Sequence, residues 1–303
     1  MEFLRPESLG EALAAKAAHP EAVPLAGGTD VMVELNFARR RPSALLDLTR
    51  VGELTGWHAD GGTVRVGAGV TYAELTGERA DGGQTALGRL LPGLAMAART
   101  VGSPQIRNRG TIGGNLGSAS PAGDCHPVLL ASGASVEAAS VRGRRQVPID
   151  EFFTGVKRNA LAPDELITAV LVPAPGGAEQ FAKIGTRNAM VIAVAAFAIV
   201  LDPARRRIGT GIGSAAPTPV RAAAAERLLS GALAADGLWE SRGPLPEPVI
   251  TEFGRAVSAA ASPIDDVRGT AAYRRQALAV LARRTLGWAW RDYRAAGEQA
   301  RRG

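Results

Sequence analysis

The chain has 303 residues, 46% of them hydrophobic, which suits two globular domains with a sizeable core and excludes a disordered chain. Its net charge is +6, but the basic residues lie in scattered pairs and triplets such as Arg39-Arg40-Arg41 and Arg205-Arg206-Arg207, with no basic helix interleaved with aromatics, so nucleic-acid binding is not expected. One cysteine, Cys125, excludes an internal disulfide, a zinc finger or an iron–sulfur cluster held by this chain alone, and the setting expected is reducing and cytoplasmic.

In chain order, Pro6-Glu7-Ser8-Leu9 opens a helix that runs to about Ala18 and stops at Pro20. Val23 to Ala26 is a short apolar strand that runs into Gly27-Gly28. Ala44 to Leu48 reads as a second strand. Trp57 to Gly67 reads as a hairpin turning at Asp60-Gly61-Gly62. Thr71 caps a helix, and a longer helix is expected over roughly Gly88 to Ala98. Val101 to Asp124 is rich in glycine and poor in apolar periodicity, and reads as a long functional loop. Val128 to Ala139 reads as helix then strand, and Leu166 to Val172 as an alternating strand ended by Pro173.

Pro173-Ala174-Pro175-Gly176-Gly177 is the best linker, dividing the chain into residues 1–175 and 176–303. Beyond it, Gln180–Ile184, Val191–Leu201 and Ile208–Gly213 read as strands. Ala222–Ser230, Pro248–Ala260 and Ala271–Arg294 read as helices. The fold class is α+β. The longest apolar run, Ala189 to Leu201, is too short to span a bilayer, and the first residues lack the basic start and apolar run of a signal peptide.

The chemistry concentrates in glycine. Two phosphates need several backbone N–H donors at close range, and a Cβ obstructs that approach. Gly27-Gly28 follows a strand directly, with Thr29 as a further donor. Gly113-Gly114 repeats the design, flanked by Thr111 and Asn115. Either alone reads equally as a tight turn; two together suit a pyrophosphate held from both sides. Gly211-Ile212-Gly213-Ser214-Ala215-Ala216 only loosely mimics a dinucleotide fingerprint, because Pro217 and Pro219 disrupt the helix that should follow. Asp124 reads as a ribose-binding carboxylate or an ordinary loop acid. Cys125 and His126 beside it make a poor metal pair without a third ligand.

The segments Pro24-Leu25-Ala26-Gly27-Gly28-Thr29-Asp30, Gln105 to Asn115, Ala119 to Asp124, Asp164 to Ile167, Lys183 to Arg187 and Val267 to Arg275 carry a resemblance. Together they resemble the FAD-binding medium subunit of the molybdenum hydroxylases, the xanthine dehydrogenase and carbon monoxide dehydrogenase family. The resemblance implies a p-cresol methylhydroxylase-type FAD-binding domain, then a small α+β domain of the carbon monoxide dehydrogenase flavoprotein C-terminal kind. It implies that Pro24, Leu25, Ala26, Gly27, Gly28, Thr29, Asp30 and Val31, with Thr111, Ile112, Gly113, Gly114 and Asn115, hold the FAD pyrophosphate. Asp124 is then the ribose ligand. Val101 and Ile167 contact the flavin, and Lys183 lies beside its ring, where a cation raises the potential. No residue of the chain is expected as a general acid or base.

By the same resemblance, the molybdenum cofactor and the [2Fe–2S] clusters are expected in separate large and small subunits, companions in a dimer of heterotrimers. Electrons then leave FAD for NAD or another acceptor. Met190 and Val191 stand where many relatives carry acidic residues, which leaves the acceptor open. The alternatives are a stand-alone flavin oxidoreductase, the medium subunit of a carbon monoxide or other N-heterocycle or aldehyde dehydrogenase, and a scaffold without cofactor. Purine hydroxylation is the first substrate expectation for the complex.

Overall fold

The computed structural model describes residues 1–77, 84–174 and 176–302. Its first elements are β1 (Glu2–Leu4), α1 (Leu9–Ala18), β2 (Val23–Leu25), α2 (Val31–Asn36) and β3 (Ala44–Asp47). Ser8 caps α1 by accepting from the Glu11 amide. β3 lies between β1 and β2 and is parallel to both, so β2 is an edge strand and tolerates Pro24, which has no N–H to donate.

The hairpin of β4 (Trp57–Asp60) and β5 (Thr63–Gly67) turns on Gly61-Gly62, both at positive φ. Six helices follow: α3 (Tyr72–Leu75), α4 (Ala86–Leu90), α5 (Pro92–Arg99), α6 (Pro104–Arg107), α7 (Ile112–Ser118) and α8 (His126–Ser132). Next come β6 (Ser135–Ser140), β7 (Gly143–Pro148), α9 (Ile149–Phe152), the small pair β8 (Phe153–Gly155) and β9 (Arg158–Asn159), and β10 (Leu166–Pro173). An antiparallel sheet runs β4-β5-β10-β6-β7.

The last part of the chain forms a three-stranded antiparallel sheet of β11 (Ala178–Ile184), β12 (Ala195–Asp202) and β13 (Arg207–Gly213). It is followed by α10 (Ala223–Ala235), α11 (Leu238–Ser241), α12 (Glu247–Ala260) and α13 (Ala271–Arg302).

Four sequence readings need correction. The helix expected over 88–98 is two helices, because Pro92 excludes a helical conformation at Leu91, which sits at φ −128°, ψ 62°. The segment 101–124 is not one irregular loop: it holds α6 and α7, whose glycines and polar residues hide any apolar period. β10 does not alternate between core and solvent; as the central strand of five it is buried on both faces over Leu166–Val170. The strand expected from Val191 begins only at Ala195. The linker expected at 173–177 includes Pro175, outside the described residues; β10 closes at Pro173 and β11 opens at Ala178.

β12 is buried along its whole length and explains the unbroken apolar run there. Ala196, Ala198 and Val200 join the core that includes Leu94, Ala97, Val128 and Phe181. Ala195, Phe197, Ile199 and Leu201 face the other way, into a second core with Leu229, Phe253, Leu278 and Leu286. One strand therefore serves both cores. The glycines of β13 serve the same packing. A Cβ at Gly209 would lie 1.8 Å from the Ala131 carbonyl oxygen, and one at Gly211 1.9 Å from that of Pro127. The fingerprint-like Gly211-Ile212-Gly213 is thus a seat for α8, which lies directly on the sheet.

Candidate cofactor site

Two segments 82 positions apart, 27 and 109, meet at the heart of the site. A Cβ on Gly27 would stand 1.8 Å from the Arg109 carbonyl oxygen and 2.9 Å from Gly110 Cα. The loop after β2 and the loop before α7 therefore touch backbone to backbone. Gly110 is held in turn from below: its carbonyl accepts from the Tyr72 amide at 3.0 Å, and its own Cβ would meet the buried Tyr72 ring. Gly28 adopts φ +77°, a left-handed conformation that glycine takes without strain.

The amides of Gly27, Gly28, Thr29 and Asp30 have no protein acceptor among the described residues. Four consecutive backbone donors on a half-buried loop form a concave cluster suited to an anion. Val31 and the α2 helix follow directly, and Pro24, Leu25 and Ala26 carry the chain in along β2.

Gly113-Gly114 is built differently from the expected second turn. Thr111 is the N-cap of α7, and the two glycines are its first turn. Their amides are already engaged. Ile112 donates to the Val70 carbonyl, Gly113 to that of Ala68 at 2.9 Å, and Gly114 to Thr111 Oγ1 at 3.0 Å. Here glycine serves close packing and openness. A Cβ at Gly113 would lie 2.6 Å from Ala68 Cβ, whereas one at Gly114 would meet only Thr111 Oγ1. Gly114 and Gly117, three residues apart on one helical face, are exposed, and Gly117 lies beside Ile167. α7 thus presents a side-chain-free face.

Asn115 and Asp124 complete the polar lining. Each keeps one buried carboxyl or amide oxygen, Oδ1, without a partner. The Asn115 carbonyl accepts from Ser118 Oγ and lies 3.2 Å from His126 Nε2. A carbonyl only accepts, so His126 Nε2 donates to it. Burial pushes His126 down to about 4, against the opposing bond to Asn115, so the ring is neutral at pH 7.

Asp124 and Lys183 pair with each other. Lys183 Nζ donates to Asp124 Oδ2 at 2.6 Å and to the Thr100 carbonyl at 2.8 Å, and Thr100 Oγ1 donates to the same Asp124 oxygen at 3.2 Å. Both charged side chains are 8% exposed. Burial pushes the Asp124 carboxyl up; the Lys183 ammonium and the two hydrogen bonds oppose it. Val101 follows Thr100, its carbonyl held by Arg107 Nη1 at 3.1 Å. Thr100 was not singled out in the sequence, since a lone threonine in a glycine-rich segment gives no signal. Glu179 was also missed. Its carboxylate is buried at the N-terminus of α5, and the pattern Glu179-x-Phe181-x-Lys183 was the available clue, placing both charges on one face of a strand.

Cys125 is fully buried, and burial pushes its thiol up, so it is neither a ready nucleophile nor a ligand. Among the described residues no three His, Cys, Asp or Glu side chains group as a metal site, and no helix is long and apolar enough to cross a membrane.

Two glycine-dependent segments in backbone contact, four unengaged amides and a buried ammonium–carboxylate pair define a protein that holds a phosphate-bearing organic cofactor. Residues 1–175 match the family described as the FAD binding domain in molybdopterin dehydrogenase, and residues 180–289 match the carbon monoxide dehydrogenase flavoprotein C-terminal domain. The nicotine 6-hydroxylase medium subunit of Paenarthrobacter nicotinovorans is 32% identical, over 94% of this chain and 96% of that protein. The nicotinate dehydrogenase FAD-subunit of Eubacterium barkeri is 32% identical, over 84% and 88%. Among solved structures, a carbon monoxide dehydrogenase chain from Hydrogenophaga pseudoflava superposes with a TM-score of 0.85 at 30% identity, over 97% of this chain and 98% of that one. The chain belongs to this family: it is an FAD-binding medium subunit of the molybdenum hydroxylase oxidoreductases.

The residues present fit FAD. The unengaged amides of 27–30 match a pyrophosphate, the orphaned Asp124 and Asn115 oxygens match hydroxyl or N–H donors, and the bare face of α7 leaves room for close approach.

Proposed function

We propose that this chain is the electron-transfer station of a larger hydroxylase. In this reading the chain would hold FAD as the link between the [2Fe–2S] clusters of a small partner subunit and NAD or another acceptor, and a large partner subunit would carry the molybdenum cofactor and hydroxylate the substrate. The observation that carries the reading is the set of features itself: the Gly27 and Arg109 backbones meet, Lys183 and Asp124 form a buried ion pair, and the chain's single cysteine is buried and committed to packing. Bound flavin supplies the two-electron chemistry.

This chain's residues bind, orient and tune. The 27–30 amides hold the pyrophosphate. Thr111, Ile112, Gly113, Gly114 and Asn115 form the opposing wall, with contact through the open face and side chains rather than through the engaged amides of α7. Asp124 Oδ1 accepts from a ribose hydroxyl. Val101 and Ile167 flank the ring, and the Lys183 ammonium favours added negative charge next to it. The functional division falls near 175. The complex is a cytoplasmic dimer of heterotrimers, and the relatives named for nicotinate and nicotine favour an N-heterocycle, purines included, as its substrate class.

The test is purification of the chain from its own cells. The expected result is a flavin absorption spectrum together with stoichiometric iron and molybdenum in co-purifying chains. A protein that shows flavin bands and full turnover with no iron or molybdenum would refute the partner reading, and one that takes up no FAD would refute the site.

A further inference from the structure

β11 holds helix α5 at both ends. Glu179, Phe181 and Lys183 alternate along the strand and so share one face. At one end the Glu179 carboxylate accepts from the Gly93 amide, in the first turn of α5, at 2.7 Å. At the other, Lys183 donates to the carbonyl of Thr100, the C-cap of α5, at 2.8 Å. Phe181 lies in the core that includes Leu94, Ala97 and Ala98 of the helix.

The spacing is matched. An eight-residue helix is about 12 Å long, and four strand residues span about 13 Å. Burial pushes the Glu179 carboxyl up to about 7, against the bond from Gly93, and each group sits at the helix end whose dipole favours its charged form, the acid at the N-terminus and the ammonium at the C-terminus.

Among the described residues Glu179 has no other partner and no cation neutralises it; it is 5% exposed, and one carboxyl oxygen is buried without a hydrogen bond. Gly93 is shaped to receive it. A Cβ there would lie 2.7 Å from the Glu179 carboxylate oxygen and 3.1 Å from Glu179 Cβ. A buried acid with so little compensation is costly to stability, so its place asks for another role.

We propose that Glu179 is a positioning residue for the flavin site: by anchoring the N-terminus of α5 it fixes the axial position of the helix, and so sets where Thr100 meets Lys183 and Asp124. This inference rests on the reading of Lys183 as the cation beside the flavin. A helix freed at Gly93 can slide or tilt, and the Thr100 carbonyl and hydroxyl then move relative to both charges. Glu179 thereby acts at a distance, through a rigid element gripped at its two ends.

The experiment uses the full chain loaded with FAD, in four variants: Glu179→Ala, Glu179→Gln, Gly93→Ala and Lys183→Ala. Flavin midpoint potential, FAD affinity and melting temperature are measured for each. Glu179→Ala should weaken FAD binding about tenfold and shift the potential by the equivalent of a tenfold change, about 30 mV for a two-electron couple. Glu179→Gln keeps an acceptor oxygen for the Gly93 amide and should restore most of both. Gly93→Ala should reproduce the alanine effect from the helix side, and it carries the test if Glu179→Ala does not fold.

A melting temperature that falls in Glu179→Ala and Gly93→Ala while potential and affinity stay at wild-type values would overturn the proposal, leaving Glu179 a stability residue only. Glutamine as damaging as alanine would also overturn it. Lys183→Ala separates the two levels. If it moves the potential and the Glu179 and Gly93 variants do not, the positioning claim fails alone. If Lys183→Ala leaves the potential unchanged, the flavin-site reading fails and takes the positioning claim with it.

Discussion

Lys183 Nζ stands 2.6 Å from Asp124 Oδ2, across 59 positions of sequence. The pair ties the segment after α7 to the first strand of the C-terminal sheet, with Thr100 bonded to both partners. This buried cluster is therefore assembled from both parts of the chain.

Removing the cation tests that assembly. Lys183→Ala leaves Asp124 buried without its counter-ion, and breaking such a pair costs about 3–5 kcal/mol. The sign of the pH dependence follows from the acid. Losing Lys183 raises the folded-state affinity of Asp124 for a proton further above the ordinary value of 3.8. The variant is therefore closest to wild type in acid, and its deficit grows as pH rises through the raised value. Urea unfolding at pH 5 and pH 8 measures this; a deficit larger in acid would contradict it. The flavin potential of the same variant should fall.

Gly27→Ala puts a Cβ where the Arg109 carbonyl oxygen now lies. Neither backbone can yield without separating the two segments. FAD affinity should drop at least about 100-fold, and stability by about 1–3 kcal/mol. Titration with FAD followed by flavin fluorescence reads the first, and denaturant unfolding of the apoprotein the second. Wild-type affinity would show that the contact of the two segments is irrelevant to binding.

Gly114→Val makes the opposite kind of change. The position is exposed and nearly open, and valine is a slightly better helix former than glycine, so the fold should survive with a stability change of about 0.5 kcal/mol or less. The valine fills the bare face of α7, and FAD binding should be abolished. An unaltered melting curve with lost flavin is the expected pattern, and retained flavin at normal affinity would remove α7 from the site.

His126 supplies a second pH effect of opposite sign. Its folded-state value of about 4 lies below the ordinary 6.5, so the unfolded chain binds the proton more readily between these values. The stability of the wild type is full above pH 6.5 and is lost as pH falls towards 4, by on the order of 3 kcal/mol. His126→Leu should lack this component, because Ser118 still satisfies the Asn115 carbonyl. The check is the difference between wild type and variant at pH 7 and pH 4.5. A constant difference would show that His126 does not titrate in this window.

What the sequence revealed depended on the range of the interaction. The helix opening at Pro6-Glu7-Ser8-Leu9 and the Thr71 cap are local, and they read correctly as local structure. The α5 boundary at Leu91 was equally local but was masked by the apolar continuity on either side of Pro92. α7 was invisible because a helix whose first turn is Ile-Gly-Gly-Asn has neither propensity nor period, and is held by its Thr111 cap and by Val70 and Ala68 carbonyls. The Gly211-Ile212-Gly213 likeness to a nucleotide fingerprint was discounted locally on Pro217 and Pro219, but the use of these glycines was not legible, since only the tertiary fold shows α8 lying on them. Asp124 was singled out from its place in the glycine-rich segment and Lys183 through the family resemblance, while Thr100 gave no signal, and the convergence of the three lay outside any local pattern.

The shared strand β12 carries a practical consequence. The match to the FAD-binding family ends at residue 175, yet the core beneath it borrows Ala196, Ala198 and Val200 from beyond that point. A gene cut there would yield an N-terminal fragment with a raw apolar floor and a C-terminal fragment with a raw apolar roof, neither soluble alone. Subunit swaps among related hydroxylases should accordingly exchange the whole chain, since the seam recognised by sequence families is not a seam for folding.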